Sequence, residues 1–398
     1  MNTTVQKFAE IVTSRATSLL QPLIDESSDA LSENYCGKDI LIAGGAGFIA
    51  SESLKVILNY APRSVSILDI SENGLAESVR DLRTSNKIPR HTKLTPWLVD
   101  IASPLLNRTL DEIGNIDSCL NFSASKHVRS ERNVTSSLRM LQTNCVGSFN
   151  LANFVKERFP NARHFVVSTD KAASPVNLMG ASKFIVEKIV ASSVAATTTT
   201  RFANVAFSSG SLLESWLLRM QKNQVLSVPM LTKRFFVTPL ESGQLCTLAS
   251  IAEPGHCVVP NFKYEDLVDL TVALEAVLDF CNLEMVQIET LDEGIEILSQ
   301  AHNSNSYPVL FTARDTFGEK EHEIFCAPDE HAKLWRGPLN SFPIRTDFAE
   351  VREFVSWLEI CLSDHQIAMS LRDIYREVTK ICPGFKPEIS EFGLDDRI

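Results

Sequence analysis

The side chains of this sequence that could carry chemistry are concentrated in residues 168–183. The reactive or polar members of that segment are Ser168, Thr169, Asp170, Lys171 and Lys183. An aspartate beside a lysine can supply a proton donor and a proton acceptor within one turn of chain, provided that burial and their mutual charge shift their pKa values apart. The alternative is a solvated charge pair at the end of a strand. The pattern therefore indicates acid–base chemistry here, with the solvated pair left open.

A glycine-rich turn provides the second chemical signal. The run GGAGFIA follows an apolar stretch and places Gly44, Gly47 and Ala50 at a spacing typical of a pyrophosphate-binding turn. The helix that follows would begin near Phe48 and Ile49, and the unpaired backbone N–H groups of such a helix end attract phosphate. A similar turn also occurs where a strand and a helix merely pack closely, so both interpretations stand.

Two aspartates fit the adenosine end of a dinucleotide. Asp69 ends the next apolar run at about the distance from the glycines that the ribose-binding acid has in dinucleotide folds. A carboxylate there favours NAD, although Arg83 leaves NADP open. Asp100, with Ile101 beside it, follows the third predicted strand and suits the adenine. The alternatives are a helix cap for Asp69 and a simple turn for Asp100.

The elements that must position these residues are short apolar runs alternating with helical patterns. The predicted strands are 39–43, 64–69, 94–99, 118–122, 164–168 and 200–207, and the predicted helices include 138–158 and 179–195. Such alternation predicts an α/β fold with a doubly wound parallel sheet covered on both faces. Ligands of that fold bind at the carboxyl ends of the strands, where the chemical residues above fall.

The remainder of the chain predicts a second lobe and two helical ends. The expected divisions are a helical extension (1–37), a dinucleotide-binding domain (38–210), a mainly substrate-binding lobe interleaved with it (211–346), and a helix with a tail (347–398). Helical spacing of apolar residues near the start predicts a helix that either packs on the body or serves as an oligomerisation arm. The polar stretch 25–34 is interpreted as a linker.

Composition narrows the class of protein. The 398 residues are 44% hydrophobic and 22% charged, as in an ordinary folded protein. The 49 acidic and 38 basic side chains give a net charge of −11, which argues against general nucleic-acid or anionic-membrane binding. The nine cysteines contain no CxxC pair, so we expect reduced thiols and no metal site. With no signal-peptide pattern and no membrane-length apolar run, we expect a soluble, cytoplasmic protein.

Several motifs together carry a resemblance to a known family. They are GGAGFIAS (44–51), SASKHV (123–128), STDKAASPVNLMGASK (168–183), RFANV (201–205), SSGSLLESW (208–216), RFFVT (234–238) and GEKEHE (318–323). In this order the chain resembles the extended short-chain dehydrogenase/reductases, and within them the nucleotide-sugar 4,6-dehydratases of the polysaccharide-biosynthesis group that act on UDP-N-acetylglucosamine. The run at 168–183 is the specific part of the resemblance.

One active-site position departs from the usual pattern of that family. A lysine there follows a tyrosine by four residues on the active-site helix and binds the nicotinamide ribose; Lys183 matches the lysine, and Met179 stands at the tyrosine position. One branch of the family, the longer bacterial enzymes, also carries methionine there. Methionine cannot take the proton of the sugar C4 hydroxyl, which leaves Thr169, Asp170 and Lys183 as candidates for that step.

The resemblance implies a redox-neutral dehydration with NAD, or NADP, as cofactor. The sugar would be oxidised at C4, Lys171 would take the C5 proton, Asp170 would protonate the departing C6 hydroxyl, and C6 would then be reduced. The product is a 4-keto-6-deoxy sugar, with C5 inverted in relatives that use this lysine. The implied substrate contacts are Lys126, His127, Asn204, Ser208, Arg234 and Glu319, with Arg234 as the diphosphate clamp. We expect a homo-oligomer with a nucleotide-sugar substrate.

Two other functions remain open from the sequence. A C4 epimerase or reductase on the same fold would have no use for an acid–base doublet, so Asp170 and Lys171 argue against it. A catalytically silent dinucleotide-binding scaffold is motivated by Met179, by Ala50 in place of a third glycine, and by the additional N-terminal helix.

Overall fold

A computed structural model describes residues 2–126, 131, 133–192, 196–300, 305–313, 323–364 and 366–386. The helices are α1 Asn2–Thr13, α2 Gln21–Glu26, α3 Ser28–Tyr35, α4 Phe48–Leu58, α5 Glu72–Thr84, α6 Leu105–Ile113, α7 Val134–Leu141, α8 Gly147–Arg158, α9 Leu178–Ser192, α10 Leu212–Gln221, α11 Pro239–Ala249, α12 Leu270–Phe280, α13 Leu291–Gln300, α14 Phe348–Ser363 and α15 Leu371–Ile381. The strands are β1 Asp39–Ala43, β2 Ser64–Asp69, β3 Lys93–Leu98, β4 Ser118–Asn121, β5 Arg163–Val167, β6 Ala196–Thr200, β7 Asn204–Val205, β8 Leu226–Pro229, β9 Lys233–Arg234, β10 Phe236–Val237, β11 His256–Pro260, β12 Val268–Asp269, β13 Glu284–Ile288, β14 Ser306–Thr312, β15 Lys333–Arg336 and β16 Leu339–Pro343.

The chain divides into two compact units. The larger, called the sheet unit here, comprises Leu20–Phe202, Gly243–Asn261 and Ile324–Ile398, and the small unit comprises Met1–Leu19, Ala203–Ser242 and Phe262–Glu323. Both units are built from separated stretches of sequence, and the boundary at Ser242 falls inside α11. Neither α14 nor any other helix among the described residues is both long and apolar enough to cross a membrane.

The sheet unit contains a nine-stranded sheet in the order β15-β16-β11-β6-β5-β4-β1-β2-β3. The strands from β3 to β11 are parallel, and β16 and β15 add an antiparallel edge. The central strands are buried almost throughout, as expected for a parallel sheet covered by helices on both faces. The predicted doubly wound α/β fold is confirmed.

The strand predicted at 200–207 is misplaced: β6 runs from Ala196 to Thr200, and the predicted range otherwise contains the two-residue strand β7. The sequence there is a run of threonines, which looks too polar for a buried strand. Threonine is β-branched and suits a strand, and the hydroxyls of Thr199 and Thr200 donate to the carbonyls of Val166 (2.6 Å) and Val258 (2.8 Å). These hydrogen bonds satisfy two of the buried hydroxyls, which favours the run in the interior of the sheet, whereas Oγ1 of Thr198 has no hydrogen-bond partner among the described residues.

Two helical predictions also need correction. The stretch 25–34 is not a linker, because α3 lies within it and buries Leu31 and Tyr35 completely. The long helix predicted over 138–158 is interrupted by a π-helical turn, Gln142–Val146, between α7 and α8. In the C-terminal part, α14 and α15 bury an apolar face against α7, the π-helical turn and α9.

The small unit has its own core around the three-stranded parallel sheet β13-β14-β8. Phe8, Ala9 and Val12 of α1 are part of that core, and the Phe8 ring lies 5.7 Å from that of Phe207. Of the two roles predicted for the first helix, packing on the body is therefore the one observed. The guanidinium of Arg15 pairs with the buried carboxylate of Glu241 at 2.7 Å within the same unit.

The burial of one polar side chain in the sheet unit predicts that the folded protein loses stability in acid. His164 on β5 is fully buried, and neither ring nitrogen has a hydrogen-bond partner among the described residues. Burial lowers the pKa of His164 from 6.5 to about 4, because the charged ring would lose its hydration. As the pH falls between these two values, the unfolded chain binds a proton that the folded chain does not bind. Stability therefore decreases on acidification through this window.

The expected size of this effect is about 3 kcal/mol of unfolding free energy by pH 4.5. We expect His164→Leu to lose less stability than the wild-type protein between pH 7 and pH 4.5, measured by urea denaturation. His91→Leu, at an exposed turn position, is the matched control and should keep the wild-type acid dependence. An equal loss of stability on acidification in wild type and His164→Leu would contradict the conclusion that burial lowers the pKa of His164.

Candidate active site

The segment predicted to carry the chemistry lies at the carboxyl end of β5. After Val167 the chain passes through Ser168 and Thr169 into a single 3₁₀ turn, Asp170–Ala172. The Thr169 hydroxyl donates to Oδ1 of Asp170 at 2.7 Å, and the Lys171 ammonium lies 3.6 Å from the same oxygen. The Asp170 side chain is 12% exposed and that of Lys171 is 44% exposed. The doublet is therefore an ion pair with one buried member, and not the fully solvated pair.

Lys183 on α9 points to the same strand end. Its ammonium is buried and donates to the carbonyl of Val167 at 3.1 Å. Burial lowers the pKa of Lys183 to about 8, although the nearby Cys145 and Glu187 act in the opposite direction. A lysine in this state can hold or release a proton close to neutral pH, which suits a residue in acid–base chemistry.

The π-helical turn supplies a residue that the sequence analysis missed. The Asn144 side chain accepts from the amide of Ser125 (2.7 Å) and donates to the Ser125 carbonyl (3.1 Å) and to the Ser182 hydroxyl (2.8 Å). Ser182 in turn donates to the carbonyl of Met179 at 2.7 Å. The hydrogen bonds of Asn144 therefore connect the loop after β4 to the helix that carries Lys183. The signal that the sequence offered for Asn144 was an asparagine at a core position of an otherwise apolar helical pattern.

Met179 lies in the first turn of α9 and is buried. The carboxylate of Glu131 accepts from the backbone amides of Leu178 (2.8 Å) and Met179 (2.9 Å), so it satisfies two donors of the helix end. Burial raises the pKa of Glu131, while the two amides act against that increase. Glu131 was not identified from the sequence, because nothing local links it to a helix that starts so far along the chain.

The glycine turn is shaped for a close backbone approach. Gly44 has φ +70°, and a Cβ there would lie 2.6 Å from the amide nitrogen of Ser123. Gly47 is the N-cap of α4, and the first turn of that helix carries no acidic residue, with Phe48 and Ile49 as its opening residues. A helix whose N-cap has no side chain and whose first turn carries no acidic residue is suited to bind an anion. Ala50 is buried, as a close helix–sheet contact requires.

Asp69 and Asp100 take up local contacts at the ends of β2 and β3. Asp69 accepts from the amides of Ala46 (3.0 Å) in the glycine turn and Ser71 (2.9 Å) at the start of α5. It therefore lies beside the turn and also serves the next helix. Asp100 accepts from the amide of Ala102 (2.9 Å) and pairs with Arg139 (2.7 Å), as the turn interpretation predicts.

The hydrophobic neighbour of Asp100 has a packing role. Ile101 is buried, and a Cβ on Gly147 would lie 2.8 Å from its Cγ1. The glycine that opens α8 is thus required for this contact. The cofactor roles predicted for Asp69, Asp100 and Ile101 stay predictions.

In the small unit, two predicted substrate residues share one carboxylate. Glu323 accepts from the Asn204 side chain at 2.6 Å, and the Nε atom of Arg234 lies 3.5 Å from the same oxygen. Its other oxygen accepts from the amide of Phe235 at 3.1 Å. Glu323 is the last residue of the GEKEHE motif. The sequence analysis named Glu319 from this motif, and the structure adds Glu323, which contacts Asn204 and Arg234.

Two further predicted substrate residues, Ser208 and Lys126, lie in loops. Ser208 follows β7 in the small unit, and its amide donates to the Val205 carbonyl at 3.1 Å. Lys126 is exposed and follows Ser125, whose backbone Asn144 holds. His127 and Glu319 lie outside the described residues.

The strand order and the glycine turn after β1 define the class of fold, a doubly wound α/β fold with a mostly parallel sheet. Residues 40–328, most of the chain, match the family described as polysaccharide biosynthesis protein, and the chain belongs to that family.

Three curated relatives indicate where in the family the chain falls. It is 29% identical to an uncharacterised membrane protein of Methanocaldococcus jannaschii over 61% of this chain and 73% of the relative. It is 25% identical to the capsular polysaccharide biosynthesis protein CapD of Staphylococcus aureus, over 80% of this chain but only half of CapD. It is 27% identical to a UDP-N-acetylglucosamine 4,6-dehydratase (inverting) of Campylobacter jejuni, over 60% of this chain and 72% of that enzyme.

A solved structure supports the same fold. The crystal structure of Pen from Bacillus thuringiensis superposes with a TM-score of 0.60 at 22% identity, covering 79% of this chain and 89% of Pen. At this level of identity the likeness concerns the fold.

The glycine turn allows a test of its geometry. We expect Gly44→Ala to destabilise the protein by about 3 kcal/mol or more, because it combines a left-handed backbone with a clash. Gly37→Ala is the matched control: Gly37 has φ +66°, but a Cβ there would meet nothing within 4 Å. That variant should cost about 1 kcal/mol. The measurement is the denaturation midpoint, and equal losses in the two variants would argue against the close approach.

Proposed function

We propose that this protein is an NAD-dependent dehydratase that converts UDP-N-acetylglucosamine, or a closely similar nucleotide-linked N-acetylhexosamine, into the 4-keto-6-deoxy sugar. The observation that carries the proposal is the triplet Thr169, Asp170 and Lys171 at the end of β5, with buried Lys183 bonded to the same strand end. The likeness to the inverting dehydratase of Campylobacter jejuni supports the reaction type.

The residues of the sheet unit fit a dinucleotide. The uncapped first turn of α4 would receive the pyrophosphate, and Gly44 would let the backbone approach it. Asp69, beside that turn, would accept the ribose hydroxyls, and Lys183 would hold the nicotinamide ribose. When bound, the dinucleotide supplies a hydride acceptor for sugar C4 and a hydride donor for C6.

The triplet suggests how the C4 proton is removed without a tyrosine. The Thr169 hydroxyl already donates to Asp170, so it can pass a proton from the C4 hydroxyl to that carboxylate. Asp170 then carries the proton that the departing C6 hydroxyl needs to leave as water. The proton removed at C4 is thereby the one consumed at C6, and Met179 is not required for either transfer.

Lys171 is assigned the C5 proton. The ketone at C4 acidifies the C–H bond at C5, and Lys171 in its neutral amine form would take that proton. C5 would then take a proton from solvent on the opposite face, which gives inversion, and the Lys171 ammonium would release its proton to solvent. Lys171 is the more exposed member of the doublet. It can therefore reach toward a bound sugar while Asp170 stays anchored by Thr169.

Two alternatives are separated by the outcome of the reaction. An epimerase or reductase would use the cofactor without losing water, and the acid–base pair would have no purpose. A silent scaffold is motivated by Met179, and it would bind the dinucleotide without turnover. The proposal therefore requires both binding and loss of water.

The position of Asp69 predicts the cofactor preference. A 2′-phosphate on the ribose would meet the Asp69 carboxylate, so we expect NADH to bind at least about tenfold more tightly than NADPH in a fluorescence titration. Asp69→Ser should narrow this ratio. Asp81→Ser, which changes a half-exposed carboxylate on α5, should leave it unchanged. Tighter binding of NADPH by the wild-type protein would reverse the assignment to NAD.

Incubation with UDP-N-acetylglucosamine and NAD in D₂O tests the reaction. We expect a 4-keto-6-deoxy product with deuterium at C5, detected by mass spectrometry and NMR. Lys171→Ala should reduce its formation by about a hundredfold or more and retain NADH binding. Lys87→Ala, at an exposed position after α5, should behave as wild type.

The possible results discriminate among the candidate functions. Isomerised sugar without loss of water would identify an epimerase, and dinucleotide binding without any product would identify a scaffold. Wild-type turnover in Lys171→Ala would remove Lys171 from the mechanism.

A further inference from the structure

Arg201, directly after β6, is a fully buried cation that the proposed reaction does not use. Its guanidinium donates to both oxygens of Glu187 (2.7 and 2.6 Å) and to both oxygens of Glu330 (2.5 and 2.7 Å). It also donates to the carbonyl of Phe325 at 3.0 Å and lies over the Phe342 ring. Because a buried charge requires such partners, the sequence must supply two distant acids to keep this arginine in place.

Glu187 connects this cluster to the active site. It lies one helical turn after Lys183 on α9, and the oxygen that accepts from Nε of Arg201 also accepts from the Ser168 hydroxyl at 2.5 Å. Lys183 bonds the carbonyl of Val167, the preceding residue. Helix α9 therefore holds two consecutive residues at the end of β5, immediately before the triplet Thr169–Lys171.

We infer that Arg201 and Glu187 form a positioning pair for the active site, which holds the end of β5 against α9 and places a negative charge near Lys183. The inference rests on the proposed function. Neither residue touches the reacting groups in the proposed mechanism, so both act through Ser168 and Lys183. Glu187 and Glu330 outnumber Arg201 by one charge, so the cluster favours the ammonium form of Lys183 against the effect of burial.

Among the described residues, Cys145, on the π-helical turn, and Glu187, on α9, act on Lys183 directly. Burial raises the pKa of the Cys145 thiol to about 12, so this thiol is neutral over the pH range in question. Cys257 and Cys326 lie beside the Arg201 cluster, and burial raises the pKa of both thiols, so they remain neutral. Glu187 is thus the charge whose removal should be felt at Lys183.

A purely structural ion pair and a positioning pair differ in one measurable respect. Loss of a structural pair lowers stability and leaves the titration of Lys183 in place. Loss of Glu187 from a positioning pair removes the charge that opposes burial, so the pKa of Lys183 must fall further. The titration of Lys183 in the free protein therefore separates the two roles without needing any ligand.

The experiment compares wild type with Glu187→Gln, using protein labelled with ¹³C at the lysine Cε atoms and NMR from pH 6 to pH 10. The Lys183 resonance is assigned with Lys183→Arg. We expect the midpoint of Lys183 to move about one pH unit lower in Glu187→Gln. Arg163→Lys is the matched control, because Arg163 lies at the opposite end of β5 and its side chain donates to the carbonyls of Ser250 and Ala252, away from Lys183. It should leave the midpoint unchanged.

Arg201→Lys separates geometry from charge. It keeps the cation and loses the forked hydrogen bonds, so the midpoint of Lys183 should stay close to the wild-type value. The kcat for dehydration should fall by about tenfold to a hundredfold because the triplet shifts, while KM changes little. If Glu187→Gln does not fold, Glu330→Gln removes one charge from the outer side of the cluster, and it should move the midpoint in the same direction by a smaller amount.

An unchanged midpoint in the glutamine variants, or an equal shift in Arg163→Lys, overturns the positioning pair. The result is independent of the proposed function: absence of dehydration by the wild-type protein would reject that function, whereas the Lys183 titration would still decide the role of Glu187.

Discussion

Parallel strands deliver all their carboxyl ends to one edge of a sheet, and the chemistry of this protein depends on that constraint. In the sheet unit the strands from β3 to β11 run parallel and helices cover the sheet, so charged side chains gather where the strands end. The glycine turn, Asp69, the loop at Ser125, the triplet and Arg201 each follow the end of a different strand. Residues far apart in sequence therefore meet at one edge.

Charged side chains that lie together at the partly buried edge of the sheet each need an ion-pair or hydrogen-bond partner. Asp170 has Thr169 and Lys171, and Arg201 has two carboxylates, so burial does not leave them isolated. Lys183 is the exception, because its hydrogen bond goes to a carbonyl and its pKa is lowered by burial. Lys183, whose ammonium donates to a backbone carbonyl and not to a carboxylate, is thus a cation that is poised to exchange a proton. This contrast links the packing of the edge to its proposed chemistry.

Much of the fold and part of the site could be predicted because their signals are local. Alternating apolar runs identify the sheet, a glycine turn identifies the start of α4, and the segment 168–183 contains its own acid, lysines and helix. The failures have a common cause. The threonine strand β6, the helix α3 and the π-helical turn all depend on contacts with distant elements, which satisfy the hydroxyls of Thr199 or bury Tyr35 and Asn144.

By itself, the sequence determined the class of fold, the place of Thr169, Asp170 and Lys171 at the end of a strand, and the helix that carries Lys183, because each rests on periodicity or spacing within a short stretch. Only the tertiary structure decided the partners: Glu187 and Glu330 for Arg201, Asn144 for Ser125, and Glu131 for the start of α9. Hydrogen bonds and burial act between atoms that are near in space. A linear pattern does not contain those distances until the strands and helices have packed.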